Sequence, residues 1–144
     1  MITKFRGDHF FLSNMFPCEI NYNGNVFGSS EAAYMSRKNN SKRWLSTCIN
    51  TKNPILVKTM SHSIYIIKKW PEIKLQVMSD ILKIKFSIPE LRAKLLETGD
   101  EEIYEGNTWD DLYWGVDHLT LQGKNHLGKL LMNIRDQIKQ GELK

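Results

Sequence analysis

Cysteine is scarce in this sequence. Cys18 and Cys48 are the two among 144 residues, and they form no CxxC and no metal-ligand spacing. They are expected to be free buried thiols in a reducing compartment rather than a disulfide. Histidine is equally thin: His9, His62, His118 and His126 match no HExxH or comparable pattern, so no metal and no cofactor is expected. No GxSxG and no plausible Cys/His pair is present, which removes the common nucleophile-based hydrolases. No apolar run nears the roughly 18 residues a bilayer requires. Met1-Ile2-Thr3-Lys4-Phe5-Arg6 turns polar at once, so neither a membrane partner nor a secretory leader is expected, and the location read from the sequence is cytoplasmic. Four prolines and nine glycines form no linker, and no repeat or low-complexity tract appears. Residues 1–144 are therefore read as one domain.

The rest of the composition is that of a globular protein, 41% hydrophobic and 25% charged. Twenty Lys and Arg against sixteen acids give +4, a mild excess that favours a phosphate-bearing ligand or nucleic acid over an acidic partner.

Short extended pieces fill the first 28 residues. Pro17 to Tyr22 alternates loosely, Asn23-Gly24-Asn25 supplies turn chemistry and Val26-Phe27 follows, which predicts a hairpin. Ser29 or Ser30 caps a helix running to about Asn40. A short helix spans about Lys42 to Ile49. Asn53-Pro54 starts another that ends near His62, with Asn as cap and Pro in the first turn. Ser61 to Lys69 is readable as strand or buried coil. Pro71 opens a long helix in which Ile73, Val77, Met78, Ile81, Leu82 and Phe86 recur at helical spacing. Ser87-x-x-Glu90 has the form of a capping box. Leu91, Leu95 and Leu96 form the buried face after it, and Gly99 stops that helix. A final helix runs from about Leu127 to Lys139. The fold class expected is α+β, predominantly helical, with a small N-terminal β-hairpin packed on a helical cluster.

Two stretches draw attention chemically. Residues 105–117 carry four carboxylates (Glu105, Asp110, Asp111, Asp117), three large aromatics (Trp109, Tyr113, Trp114) and two glycines. That mixture suits a pocket that stacks a flat ring and sets acids beside a bond becoming positive as it breaks. Adjacent Asp110-Asp111 also suits a loop or cap. In the predicted helix after the hairpin, Glu31 and Lys38 lie seven residues apart. Nearly two turns put them on one face about 10 Å apart along the axis, with Tyr34 and Met35 between them. The plain alternative is that each merely complements the helix dipole. Trp70 is either core or a ring platform at a helix start. Gly123-Lys124-Asn125-His126-Leu127-Gly128-Lys129 is no Walker loop, but it opens a helix whose backbone amides suit an anion.

In order along the chain stand Leu12-Ser13-Asn14, Ser30-Glu31 with Lys38, and Trp70. Lys74-Leu75-Gln76-Val77-Met78 through Lys85-Phe86 comes next, then Leu95-Leu96-Glu97-Thr98-Gly99. Glu105 with Asp111-Leu112-Tyr113-Trp114-Gly115 and Gly123-Lys124-Asn125-His126-Leu127-Gly128 through Arg135 close the series. The chain resembles the NADAR family, including its YbiA-type N-glycosidases, in this succession of six motifs. The resemblance implies hydrolysis of an N-glycosidic bond between ribose and a base. The substrate it implies is ADP-ribosylated guanine, in DNA or other nucleic acid or as a nucleotide, or else a phosphorylated riboside of the riboflavin pathway. It implies catalytic roles for Glu31, Lys38 and Asp111, with Glu31 and Asp111 as the acid/base or charge-stabilising pair. Ser13, Asn14, Tyr34, Trp70, Glu105, Trp114, Gly115 and Asn125 are implied to bind substrate. Two departures touch the expected pocket wall: Ala32-Ala33, where many members carry His and an aromatic, and Val116-Asp117-His118-Leu119, where many carry a Gly-rich turn. The competing readings are a module that binds ADP-ribose or NAD without cleaving it, and a small basic nucleic-acid binder built on Ser41-Lys42-Arg43-Trp44 and Lys68-Lys69-Trp70.

Overall fold

The computed structural model describes residues 1–143 and is the predominantly helical α+β arrangement expected, with an N-terminal hairpin. It contains two compact units, Asn14–Lys85 and Met1–Ser13 together with the stretch from Phe86 onward.

The Asn14–Lys85 unit begins with the hairpin. Strands β1 (Pro17–Tyr22) and β2 (Asn25–Ser29) pair antiparallel, Tyr22 opposite Asn25 and Ile20 opposite Phe27, with a register shift between Pro17 and Ile20. The turn residues Asn23 and Gly24 both have positive φ, 51° and 79°, as a type I′ turn demands. Helix α1 (Ser30–Met35) follows directly and packs against β1 and β2. It also packs against α2 (Lys42–Asn50), α3 (Pro54–Met60) and α4 (Trp70–Lys85). A helix surrounded in this way buries every face, and all six of its residues, Ser30 and Glu31 included, are buried. Ala32 and Ala33 are 1% and 0% exposed, so these two departures serve close packing in the interior. Ser29 is the cap, its Oγ accepting from Ala32 N at 3.1 Å.

Regular α-helix ends at Met35, five residues short of the expected Asn40, and Ser36–Lys38 tighten into a 3₁₀ turn. Ser36 Oγ donates to Ala33 O at 2.6 Å, the local side-chain bond that competes with helix continuation. The ambiguous run after His62 explains the remainder. Ser61–Ser63 form a 3₁₀ turn, and residues 64–69 are coil that is half-buried or exposed rather than strand or buried coil: Ile67 N donates to Lys38 O at 2.9 Å and Tyr65 O accepts from Asn39 Nδ2 at 2.7 Å. The backbone past Lys38 is thus pledged to another segment. Asn53 caps α3 through Oδ1 to Ile55 N, 3.0 Å, with Pro54 in the first turn, as expected. Helix α4 starts at Trp70, one residue before Pro71. Lys85 is wholly buried, with its ammonium 5.8 Å from the Phe16 ring centroid. Burial pushes its pKa down to about 8, against the smaller opposite pull of Cys18. Both cysteines are free, and burial raises both thiol pKa values, that of Cys48 to about 12.

In the other unit a 3₁₀ turn over Gly7–Leu12 packs against α5 (Pro89–Glu97), and Phe11 meets Phe86 edge-on at 6.4 Å. Helix α5 begins with Ile88 in the cap position and no side-chain cap bond, so the Ser87–Glu90 capping box is not what starts it. Pro89 in the first turn starts it instead, since its ring presets helical φ and its missing N–H needs no partner there. Gly99 ends it with φ 65°. Two further strands, β3 (Gly106–Asn107) and β4 (Val116–Asp117), form a minimal parallel ladder, while Ile103 bridges to Ile2. Helix α6 (His126–Lys139) packs on α5 and buries Leu127, Leu131, Ile134 and Ile138. Arg135, also buried, donates from Nη1 to Thr98 Oγ1 at 2.9 Å.

Candidate active site

Within Asn14–Lys85 the chemistry gathers around α1. Glu31 is 6% exposed in the first turn, where the free N–H groups favour a carboxylate. Its position is fixed from outside the helix. Asn14 O accepts from Glu31 N at 3.1 Å, and Asn14 Oδ1 accepts from Ser30 Oγ at 2.8 Å. Asn14 Nδ2 reaches Met78 Sδ of α4 at 3.5 Å. Buried Asn14 is therefore the clamp that seats Glu31. Lys38 is half-buried at the end of the 3₁₀ turn. Its pKa lies below the ordinary lysine value, chiefly because burial disfavours the ammonium; the Glu31 charge opposes that shift, and Lys58 and Lys74 add to it. The charge of Glu31 and the Lys38 ammonium thus act on one another.

Tyr34 and Trp70 touch, with centroids 4.9 Å apart and planes tilted by 52°. They are 4% and 6% exposed. At that burial the pair packs α1 against α4.

In the other unit the acidic-aromatic segment is organised by a residue the sequence reading passed over. Asn107, 2% exposed, donates from Nδ2 to Glu105 Oε2 and to Asp111 O, both at 2.9 Å, and its Oδ1 accepts from Asp111 N at 3.0 Å. Asp111 Oδ1 accepts from Tyr113 N at 3.2 Å and Trp114 N at 3.0 Å. Its second oxygen makes no hydrogen bond among the described residues. One oxygen thus locks the carboxylate to the loop backbone. Asp117 is a turn cap: Oδ1 accepts from Leu119 N and Thr120 N, both 2.9 Å, and these bonds hold its pKa below the usual carboxylate range. Gly115 is required sterically, because a Cβ there would lie 1.9 Å from Glu105 Oε2 and 2.1 Å from Glu105 O. Trp114, half-buried, packs edge-on to Tyr113 at 4.8 Å and to His126 at 6.4 Å. Ser13 closes the 3₁₀ turn by donating its N–H to Phe10 O at 2.9 Å.

The start of α6 differs from expectation. His126 N and Leu127 N donate to Tyr113 O and Trp114 O at 3.2 and 2.9 Å, and Asn125 N donates to Gly115 O at 3.2 Å. The amides expected to hold an anion instead hold the acidic-aromatic loop. Asn125, in left-handed conformation (φ 54°), accepts at Oδ1 from Glu105 N (3.1 Å) and donates from Nδ2 to Ile103 O (2.9 Å). It is a positioning residue for Glu105. Among the described residues no three His, Cys, Asp or Glu gather as metal ligands, and no helix is long and apolar enough to cross a membrane.

Each unit thus carries a group of polar side chains with chemical potential: buried Glu31 with half-buried Lys38 in Asn14–Lys85, and Asp111 with half-buried Trp114 in the other. Comparison with known proteins gives the class. The NADAR domain family model matches residues 3–139. N-glycosidase YbiA of Escherichia coli (strain K12) is 33% identical over 129 residues, 88% of this chain and 79% of that protein. The NMR structure of E. coli YbiA superposes with a TM-score of 0.85 at 31% identity, covering all of this chain and 88% of that one. A protein of Vibrio vulnificus (strain YJ016) named "Riboflavin biosynthesis protein VVA0006" is 30% identical over 92% of this chain, which spans 36% of that longer protein. The chain belongs to the NADAR family. Its likeness to several proteins named N-glycosidases supports a glycosidase activity.

Proposed function

We propose that the chain hydrolyses the N-glycosidic bond between a ribose and a base, removing ADP-ribose from modified guanine in nucleic acid or nucleotides. The observation that carries this reading is buried Glu31 acting on half-buried Lys38, whose pKa burial lowers. Breaking the C1′–N bond sends its electron pair to the base and leaves positive charge on C1′ and the ring oxygen. Glu31, shielded from water, stabilises that charge strongly because little solvent screens it. Water then adds to C1′, and its proton passes through a carboxylate to the base nitrogen that took the electron pair, which regenerates the carboxylate. The oxygen of Asp111 that bonds no backbone amide is assigned to that role, with Asn107 and Asn125 fixing its surroundings. Trp114 stacks the base. Lys38, once deprotonated, is able to add to the ring-opened aldehyde as an imine with loss of water.

Cleavage of a phosphorylated riboflavin-pathway riboside is the second reading. One observation favours it: the similarity to the Vibrio protein's riboflavin-biosynthesis name. We assign residues 1–144 to one NADAR domain, supported by the span of the family model, and a cytoplasmic location, supported by the two free thiols. The test is a product screen by mass spectrometry on an ADP-ribosylated guanine oligonucleotide and a pyrimidine riboside phosphate. Free ADP-ribose from the first is the expected result. Ribose 5-phosphate from the second alone transfers the assignment to that substrate. Retention of ADP-ribosylated oligonucleotide without release overturns the hydrolase reading in favour of a binding module.

A further inference from the structure

The charge of this chain is unevenly placed. Between Glu31 and Glu72 no Asp or Glu occurs in forty residues, and that stretch holds eight of the twenty Lys and Arg. The other 104 residues carry twelve cations against all sixteen acids, so the mild overall +4 is a +8 stretch offset by an acidic remainder. The whole stretch lies in the Asn14–Lys85 unit. Its two basic pairs, Lys42-Arg43 and Lys68-Lys69, are far apart in sequence and come together in the fold. Asn39 joins their segments: its Oδ1 accepts from Ser41 N at 2.8 Å, at the start of α2, and its Nδ2 donates to Tyr65 O at 2.7 Å. Ile67 N donates to Lys38 O at 2.9 Å. The coil that ends in Lys68-Lys69 therefore runs beside the chain leading into Lys42-Arg43. From Lys38 to Lys42 the backbone spans at most about 14 Å. Lys42, Arg43, Lys68 and Lys69 are exposed and make no ion pair among the described residues. Glu72, in the first turn of α4, is the nearest acid along the chain and pairs with neither Lys68 nor Lys69. Trp44 and Trp70, which adjoin the two pairs, are 5% and 6% exposed, so the accessible ring is that of Tyr65, 73% exposed.

Four exposed cations on two hydrogen-bonded segments make a strip of positive potential, which suits several phosphates in a row. An exposed ring in such a strip finds a partner where base faces are open, as they are in unpaired nucleotides. We propose that the start of α2 and the 64–69 coil bind single-stranded nucleic acid, with Lys42, Arg43, Lys68 and Lys69 on phosphates and Tyr65 stacked on a base. An anionic membrane fits less well. It calls for a helix that offers an apolar face to the lipid, and the apolar face of α2 is turned inward, burying Trp44 and Cys48. The strip contains none of the residues assigned to bond cleavage, and unmodified strand satisfies it. The proposal therefore goes beyond the glycosidase reading and stands without it. A strand held there passes the end of the 3₁₀ turn at Lys38, to which the coil is bonded.

Fluorescence anisotropy on the full chain tests it, with a labelled unmodified single strand and the same strand annealed to its complement. Sedimentation with vesicles of phosphatidylcholine and phosphatidylserine is run beside it. The single strand is expected to bind with log K falling linearly against log salt, at a slope of about −3 for four phosphate contacts. Lys42→Gln/Arg43→Gln and Lys68→Gln/Lys69→Gln should each weaken binding about tenfold or more at low salt and reduce that slope by about 1.4. Tyr65→Ala should weaken it about fivefold or more, whereas Tyr65→Phe, which keeps the ring, should bind as wild type does. Duplex binds more weakly and is indifferent to Tyr65→Ala. All the substituted side chains are exposed, and circular dichroism shows the variants folded. Equal single-strand affinity in wild type and the glutamine variants overturns the proposal. So does a duplex bound as tightly as the single strand with Tyr65→Ala without effect, or vesicle binding that depends on these lysines while no strand is bound. Because binding is read on unmodified strand without turnover, the two readings fail separately. A chain that cleaves nothing yet loses strand affinity on substitution keeps this surface and loses the glycosidase assignment; a chain that cleaves while its variants bind strand normally does the reverse.

Discussion

The two acidic regions of this protein use their carboxylates differently. In the 105–117 segment, Asp111 and Asp117 each accept two backbone N–H groups, and Glu105 accepts from Asn107. Much of that acidity builds the loop. Around α1 the carboxylate of Glu31 is buried and its charge acts on half-buried Lys38. A count of acids therefore points to the first region, while the energetic cost of burying charge points to the second. What separates them is burial of the carboxylate, nearly complete at Glu31 and partial at Glu105, Asp111 and Asp117, a relation that only three-dimensional structure displays.

Removing the charges separates the two regions most sharply. Glu31→Gln is expected to lower turnover about 10²–10³-fold, the usual effect of deleting one well-aimed electrostatic group, with the melting temperature little changed. Asp111→Asn keeps an amide oxygen able to accept from Tyr113 N and Trp114 N, so the loop survives. A fall of at least about a hundredfold in its turnover marks the other oxygen as catalytic. Near-normal turnover would reduce Asp111 to a turn cap and leave Glu31 alone. Steady-state rates beside thermal melts on the same samples read both outcomes.

Gly115→Ala comes next and acts on the loop alone. A Cβ 1.9 Å from Glu105 Oε2 forces the strand and the loop apart, at a cost of about 1–3 kcal/mol in chemical denaturation. An unchanged midpoint would mean that the close approach contributes nothing.

Buried Lys85 supplies a pH effect of comparable size or smaller. Its folded pKa of about 8 lies below the ordinary 10.5, so between these values the unfolded chain binds the extra proton. Stability should rise with pH across that window, by no more than about 3 kcal/mol. The raised Cys18 and Cys48 pKa values act in the opposite sense. The contribution is therefore read as the difference between wild type and Lys85→Met, whose rise should be flatter. Parallel pH curves would refute the desolvated-lysine account.

The smallest effect concerns Lys38 itself. Lys58→Gln removes a like charge and should raise the Lys38 pKa, whereas Glu31→Gln should lower it further. An NMR titration of the Lys38 side chain that shows both shifts in one direction would break the electrostatic picture of the cluster.

Legibility in the sequence followed the range of the interaction that decides each feature. Asn23-Gly24, Asn53-Pro54 and Gly99 act within a turn, and each did what its local sterics required. The early end of α1 depends on Ile64–Ile67 docking on Lys38 and Asn39, and the first turn of α6 is satisfied by carbonyls from Tyr113 to Gly115. Those partners lie outside any local window. Asn107 carried one faint signal, a buried-capable amide between Glu105 and Asp111 in a segment rich in acceptors. Glu31 and Lys38 were legible because seven residues nearly complete two turns, even though the turns proved partly 3₁₀. Lys58 and Lys74 were not, since nothing in their own helices distinguishes a half-buried lysine from a solvated one.

The account turns on the acid and amine at the two ends of α1 and its 3₁₀ extension, and borohydride reduction during turnover tests it most directly. Peptide mass spectrometry of the quenched wild-type protein should find a reduced sugar adduct on Lys38, and none in Glu31→Gln run in parallel. A turning-over enzyme whose Lys38 is unmodified, or whose adduct sits on another lysine, would contradict it.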